Sequence, residues 1–354
     1  MFLAFEEIRH AKWRYFSIAA VVFLVSYLVY FLTGLAWGLA SSYTEAIERW
    51  EASSVTLTQA SNRNPLASRI PTEGLELPDD SAALTIAVAA VEDRSPEAES
   101  DARLDTYIFA VDRDQFLSPQ VSEGEALQGE YEVVADSKLK RAGYQVGDSI
   151  SLPDAEEDFT IVGFSTATRF QTAPVLYIAD EDKAAALGKG ADQVVSVVVN
   201  RSDATASANS QVEVETVSTA DFIDELPGYR AQYLTFSLMV VSMIAILSLV
   251  LGIFMYVLTL QKKAVFGIMK ARGISTAYIA RAGAYQTLLV SSAGVLVGMG
   301  AAVASAVALS EAVPFAVNWL LFGVVTAVFI LFTLLGSLFP IRVIAQIDPV
   351  EAIA

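Results

Sequence analysis

The sequence predicts a membrane α-helical protein with one large α+β extracellular domain and four transmembrane helices, one before the domain and three after it. Two observations predict it. Residues 15–44, 231–261, 282–310 and 312–341 contain no Asp, Glu, Lys or Arg, and each stretch exceeds the roughly 20 residues that cross a bilayer core. The acidity lies elsewhere: residues 41–230 hold 35 acidic and 14 basic side chains, against 5 and 9 in the rest of the 354-residue chain. Segregation of this kind reconciles a hydrophobic content of 54% with a net charge of −17. The acidic balance disfavours a nucleic-acid partner, because phosphate binding needs a basic surface. With no Cys and a single His, disulfides, thiolate metal sites, cysteine nucleophiles and histidine-based triads are excluded.

The elements follow in order. Residues 1–14 place Phe2, Phe5, Ile8 and Trp13 opposite Glu6, Arg9 and Lys12, the pattern of a cytoplasmic interfacial helix. The first span, 15–44, is too long for a signal peptide and lacks a small-residue cleavage site, so it reads as a retained anchor. TEAIERWEASS continues with helix formers, and a stalk projecting from the membrane is expected. The domain, 45–228, carries the strand-like runs LTIAVAAV, TYIFAV, YEVVA, FTIVGF, VLYIA and VVSVVVN, broken by Gly, Pro and Asp. Within it GYQVGDSISLPDAEEDFTIVGF reads as two strands joined by an acidic turn. The polar RSDATASANSQ reads as a loop, and STADFIDELPGYRAQY as a helical lead into the second span, 229–261.

Orientation comes from Lys and Arg in short loops, which stay on the cytoplasmic side. Arg9, Lys12 and Arg14 precede the first span, and Lys262, Lys263, Lys270, Arg272 and Arg281 fill the loop 262–281. The third and fourth spans, 282–310 and 312–341, meet at a turn whose only charge is Glu311. Both termini, including 342–354, are therefore expected inside the plasma membrane and the acidic domain outside. In the loop 262–281, Val265, Phe266, Ile268, Met269 and Ile274 recur at helical spacing, with Gly267 and Gly273 as punctuation. A short amphipathic helix there suits a groove of a partner protein.

Gly34 and Gly38 form a small-xxx-small pair that would let helices approach closely in lipid, and the stripe continues through Ser41 to Glu45. An acid at that boundary is either a solvated helix end or, if the first helices of two copies meet there, a candidate ligand. Trp37, Tyr43 and Trp50, with Tyr229, Arg230 and Tyr233, lie at the same level, where aromatic belts are expected in any membrane protein. Met239 and Met243 are packing residues or ligands one turn apart, and His10 reads as a headgroup contact.

KKAVFGIMKARGIS resembles the coupling segment of ABC-transporter permeases of the MacB and FtsX class. FPIRVIAQIDPVEAIA resembles their terminal motif, with Pro340, Asp348, Pro349 and Ala352 matching, and the order of one span, a domain and three spans is also theirs. The N-terminal FEEIRHAKWRYFSIAAVVFLVSYLVYFLTGLAWGLASS is similar to the haem-exporting permeases of Gram-positive bacteria. The chain has no GxxxxGK[ST] phosphate loop, so the resemblance implies a non-enzymatic permease in which two copies, as a homodimer, work with two separate ATP-binding ATPase subunits. Lys262, Lys263, Phe266, Gly267, Met269, Lys270 and Arg272 would contact the ATPase, and Gly34, Gly38 and Ser41 the second copy. Haem would be substrate, with no resident cofactor, and its iron can take His, Met, Cys or Tyr. With Cys absent and His10 inside, oxygen ligands or Met remain. Glu45 is the leading iron candidate, with Trp37, Tyr43, Tyr229, Tyr233 and Met239 around it and Arg49 or Arg230 for the propionates. Efflux of another amphiphile, or mechanical activation of a cell-wall hydrolase, are the alternative functions.

Overall fold

The computed structural model describes residues 12–94, 102–202, 206, 212–261, 263–309 and 313–336. The expected interfacial helix up to residue 11, most of the loop at 201–211, Lys262 and the terminal motif lie outside them. The chain divides into a helical unit, Met1–Leu39 with Tyr233–Ala354, and a sheet domain, Ala40–Gln232.

Helix α1 (Lys12–Glu48) contributes its residues from Ala40 onward to the sheet domain. The helix continues beyond residue 44, as expected, and ends at Glu48. Ala46, Ile47 and Trp50 are buried, and the Trp50 ring packs 6.3 Å from Phe109 and 6.2 Å from Phe222. Positions 46, 47 and 50 share one helix face, so this apolar stripe makes the end of the helix part of the domain core. The chain then turns through Glu51, at φ 50°, into β1 (Ser54–Thr58).

The first strands after β1 are β2 (Ile70–Pro71), β3 (Ser81–Glu92), β4 (Arg103–Val111), β5 (Val121–Gly124) and β6 (Glu132–Asp136). Helix α2 (Lys138–Arg141) leads to β7 (Ser149–Ile150), β8 (Phe159–Ser165), β9 (Arg169–Phe170) and β10 (Ala173–Ala179). Helix α3 (Lys183–Leu187) precedes β11 (Val194–Val195), β12 (Val197–Asn200) and β13 (Val214–Ser218). Eleven strands form one mixed sheet in the order β13-β1-β12-β3-β4-β10-β6-β8-β5, with β7 on β8 and β9 on β10, while β11 pairs with β2. Five of the six strand-like runs fall on one strand each, and VVSVVVN divides between β11 and β12. The acidic turn behaves as read, since Ser149 pairs with Thr160 and Ile150 with Phe159.

Central strands are apolar on both faces because both faces are covered. On β4 and β10, Phe109, Val111, Val175 and Tyr177 point into the core that holds Trp50. Their neighbours Ile108, Ala110, Leu176 and Ile178 point into a second core around Tyr144, Phe159 and Phe164. The domain ends with α4 (Thr219–Asp224), whose N-cap Ser218 hydroxyl accepts from the Asp221 N–H.

The helical unit continues with α5 (Tyr229–Gln261), α6 (Lys263–Ala271), α7 (Thr276–Ala308) and α8 (Trp319–Gly336). Among the described residues, three helices are long and apolar enough to cross a membrane, Phe16–Glu48, Tyr229–Phe254 and Thr276–Ala308. Helix α8 is apolar but shorter as described, and residues 312 and 337–341 of the expected fourth span lie outside the described residues, as do 310 and 311 before it. Val22, Val29 and Tyr30 of α1 pack with Leu247, Val295, Ala302, Phe322 and Phe329. Close approach of α1 and α7 depends on Gly294 and Gly298. A Cβ on Gly294 would lie 2.6 Å from Val22 Cγ1, and one on Gly298 2.2 Å from Ser26 Oγ. The Ser26 hydroxyl donates to the Gly294 carbonyl at 3.0 Å. These two glycines form a second small-xxx-small pair, in AGVLVGMG.

Candidate functional site

The end of α1 is held by a turn whose geometry the sequence does not advertise. β9 and β10 pair Phe170 with Ala173, leaving Gln171 and Thr172 as a two-residue loop with φ of 48° and 73°. Such hairpin loops need positive φ at both positions and favour Asn or Gly; here neither residue is Gly. The conformation is used, because the N–H groups of Gln171 and Thr172 donate at 3.2 Å to the carbonyls of Tyr43 and Ser42. Arg169, just before the turn, donates from Nε to Glu45 Oε2 at 2.7 Å and from its backbone N–H at 3.3 Å. A second guanidinium nitrogen donates to Oε1. This fork keeps the Arg169 pKa above its ordinary value, the hydrogen bond to Glu45 being the chief cause. Behind it, buried Asp136 accepts from the Thr168 N–H and hydroxyl at 3.1 and 2.8 Å.

The sequence leaves Glu45 as either a solvated helix end or a candidate ligand where the first helices of two copies meet. In the structure both its oxygens are occupied by Arg169. The sequence could not show this, since 124 residues separate the partners.

Beside the pair lies a cavity of about 600 Å³ bordered by Glu45, Arg49, Trp50, Phe116, Tyr177 and Arg201, among others. Glu45 and Arg49, both candidates from the sequence, are thus brought to one place. Phe116, Tyr177 and Arg201 were missed, and only the fold brings them in. Tyr43 and Tyr229 also come together, with ring centroids 5.8 Å apart, while Arg230 is exposed. In the helical unit Trp37, Tyr233 and Met239 are exposed, and Met243 packs at the edge of the helical core.

The glycine stripe packs within this chain. A Cβ on Gly34 would lie 2.1 Å from the Phe315 ring, and one on Gly38 2.0 Å from the Pro314 carbonyl oxygen. The Ala316 N–H donates to the Gly34 carbonyl at 3.1 Å. Residues 313–317 of the same chain thus lie against Gly34 and Gly38, and Ser41 is half-buried in the sheet domain. Gly38→Leu is therefore expected to lower the yield of folded protein, because the contacted atoms are backbone and cannot swing aside. A normal yield with dimerisation alone weakened would restore the intermolecular reading.

The amphipathic helix forms as α6, but its buried and exposed faces differ from expectation. Phe266 is buried against Ile279, with Met269 and Ile274 beside it, and Gly267 is buried too. The apolar residues left exposed are Val265 and Ile268, with Arg272 on the same side and Lys270 half-buried. A Schellman ending turns the chain: Gly273, at φ 87°, donates to Lys270 and Ile274 donates to Met269. The contact between Ile274 and Met269 that accompanies this ending draws that face inward. Lys263 belongs to the first turn of α6.

The described residues thus combine three long apolar helices, a large mixed sheet domain and a short amphipathic helix between two of the helices. Residues 237–349 match the FtsX-like permease C-terminal family. Over its whole length the chain is also similar to proteins named hemin transport system permease HrtB. The relative in Staphylococcus haemolyticus strain JCSC1435 is 23% identical over 353 residues, 100% of this chain and 99% of the relative. That in Staphylococcus epidermidis strain ATCC 12228 is 23% identical over 356 residues, with the same coverage. The chain thus resembles a permease component of a transport system rather than an enzyme, and its apolar helices suit a membrane protein.

Proposed function

We propose that the chain is the permease subunit of an ATP-driven ABC efflux pump that expels haem. The observation that carries this is the extent of the similarity. It runs through the sheet domain as well as the helices, whereas the FtsX-like match covers only residues 237–349. Two copies work with two ATPase subunits in the plasma membrane, both termini cytoplasmic and the sheet domain outside. ATPase closure pushes on α6, and movement of α1 reaches the sheet domain through the Glu45–Arg169 pair. Haem enters from the outer leaflet toward the end of α1, where Tyr43 and Tyr229 stand.

The test is the permease co-purified with its ATPase and reconstituted in lipid. Haemin is expected to shift its Soret band and to stimulate ATP hydrolysis, and a strain lacking the permease gene should be more sensitive to haemin. Normal haemin resistance in that strain, with no spectral shift in the complex, would overturn the haem assignment and leave another amphiphile or mechanical signalling.

A further inference from the structure

We propose that the cavity at the end of α1 binds the carboxylate group of a flat organic anion. Three side chains converge on it. Arg49 borders the cavity and makes no hydrogen bond or ion pair among the described residues. Tyr177 is 3% exposed, lines the same cavity, and its hydroxyl likewise has no hydrogen-bond partner among the described residues. The hydroxyl therefore keeps a free donor at the cavity, and burial of the residue raises its pKa, so it remains a donor at neutral pH. Arg201 is the third, its guanidinium 4.1 Å above the Phe116 ring and its Nε donating to the Trp50 carbonyl at 2.8 Å.

The acids at the rim temper these charges without filling every donor. Glu45 is neutralised by Arg169, Glu48 is exposed to water and accepts from the Thr44 hydroxyl at 2.8 Å, and Glu51, 79% exposed, pairs with Arg201 at 3.8 Å, so among the described residues Arg49 is the lining cation without an ion pair. Two guanidiniums and a phenol donor suit a carboxylate, which accepts on both oxygens. The half-buried Phe116 ring adds apolar lining beside them. The volume lies within the range of about 300–1,000 Å³ usual for small-ligand sites. The inference deepens the haem reading, since haem carries two propionates, but it rests on that reading only for the identity of the carboxylate.

Full-length permease in lipid nanodiscs would be titrated with protoporphyrin IX, its dimethyl ester and 1-pyrenebutyrate, each followed by fluorescence. Arg49→Gln and Tyr177→Phe break no internal bond, so loss of fold does not confuse the result; melting curves check this. Each variant is expected to weaken protoporphyrin IX about tenfold, the scale of one hydrogen bond to a charged group, and to leave the ester unchanged. If the variants weaken pyrenebutyrate while protoporphyrin IX does not bind even the parent chain, the carboxylate site stands and the haem reading falls. If protoporphyrin IX binds equally to parent and variants, the haem reading stands and this site is overturned. Failure of the parent chain to bind either acid overturns the site as well.

Discussion

A Val265→Asp, Ile268→Asp double variant is expected to keep its place in the membrane and its fold, yet lose at least about tenfold of the ATP turnover that the permease elicits from its ATPase. Both side chains are exposed on α6, at 54% and 46%, so the carboxylates cost little in the free chain. A docked partner would have to desolvate them without a counter-charge, at roughly 2–5 kcal/mol, and each 1.4 kcal/mol is a factor of ten in affinity. Phe266→Asp is expected to fail differently. Its charge would enter the cluster with Ile279, so the helix itself would loosen and protease sensitivity of residues 263–275 would rise. Co-purification of the ATPase with each variant separates the two outcomes. Unchanged turnover in the double variant, with the ATPase still bound, would show that α6 is not the coupling surface.

The contrast between Val265 and Phe266 shows where sequence reading succeeded and where it stopped. Helical spacing identified an amphipathic helix, because the 3.6-residue period is local. It could not say which apolar residues the chain would use itself, since that depends on Ile279, which lies beyond the turn at Gly273. The strands were legible for a similar reason. Runs such as VLYIA are apolar at successive positions because both faces of β10 are covered. The candidate site was legible only in part. Glu45 and Arg49 were found from the helix stripe and the boundary charge, but Arg169, Tyr177 and Arg201 come from three other segments that no period connects to α1. The partner of Gly34 and Gly38 was hidden likewise, because a small-residue stripe announces close contact and not whose backbone supplies it.

Glu45→Ala and Arg169→Ala are each expected to destabilise the sheet domain by about 2 kcal/mol. Removing one member of a buried pair leaves the other uncompensated, which costs about 3–5 kcal/mol when burial is complete. Here the side chains are 15% and 29% exposed, so water recovers part of that cost. For a domain of this size 1 kcal/mol shifts the melting temperature by roughly 2–4 °C, so each single variant should melt about 4–8 °C lower. Removing both partners should cost less than the two single losses together, because no stranded charge remains. The same pair decides whether Glu45 is an iron ligand. Arg169→Ala frees the Glu45 carboxylate, so a ligating Glu45 would bind haemin at least as tightly and keep the Soret shift, while Glu45→Ala would lose it. If Glu45 serves only to hold α1, the two variants should change haemin binding alike, because each breaks the same joint. Equal stability of parent and variants would mean that the fork between Arg169 and Glu45 does not hold the helix end, and the hairpin contacts of Gln171 and Thr172 with Tyr43 and Ser42 would have to do so alone.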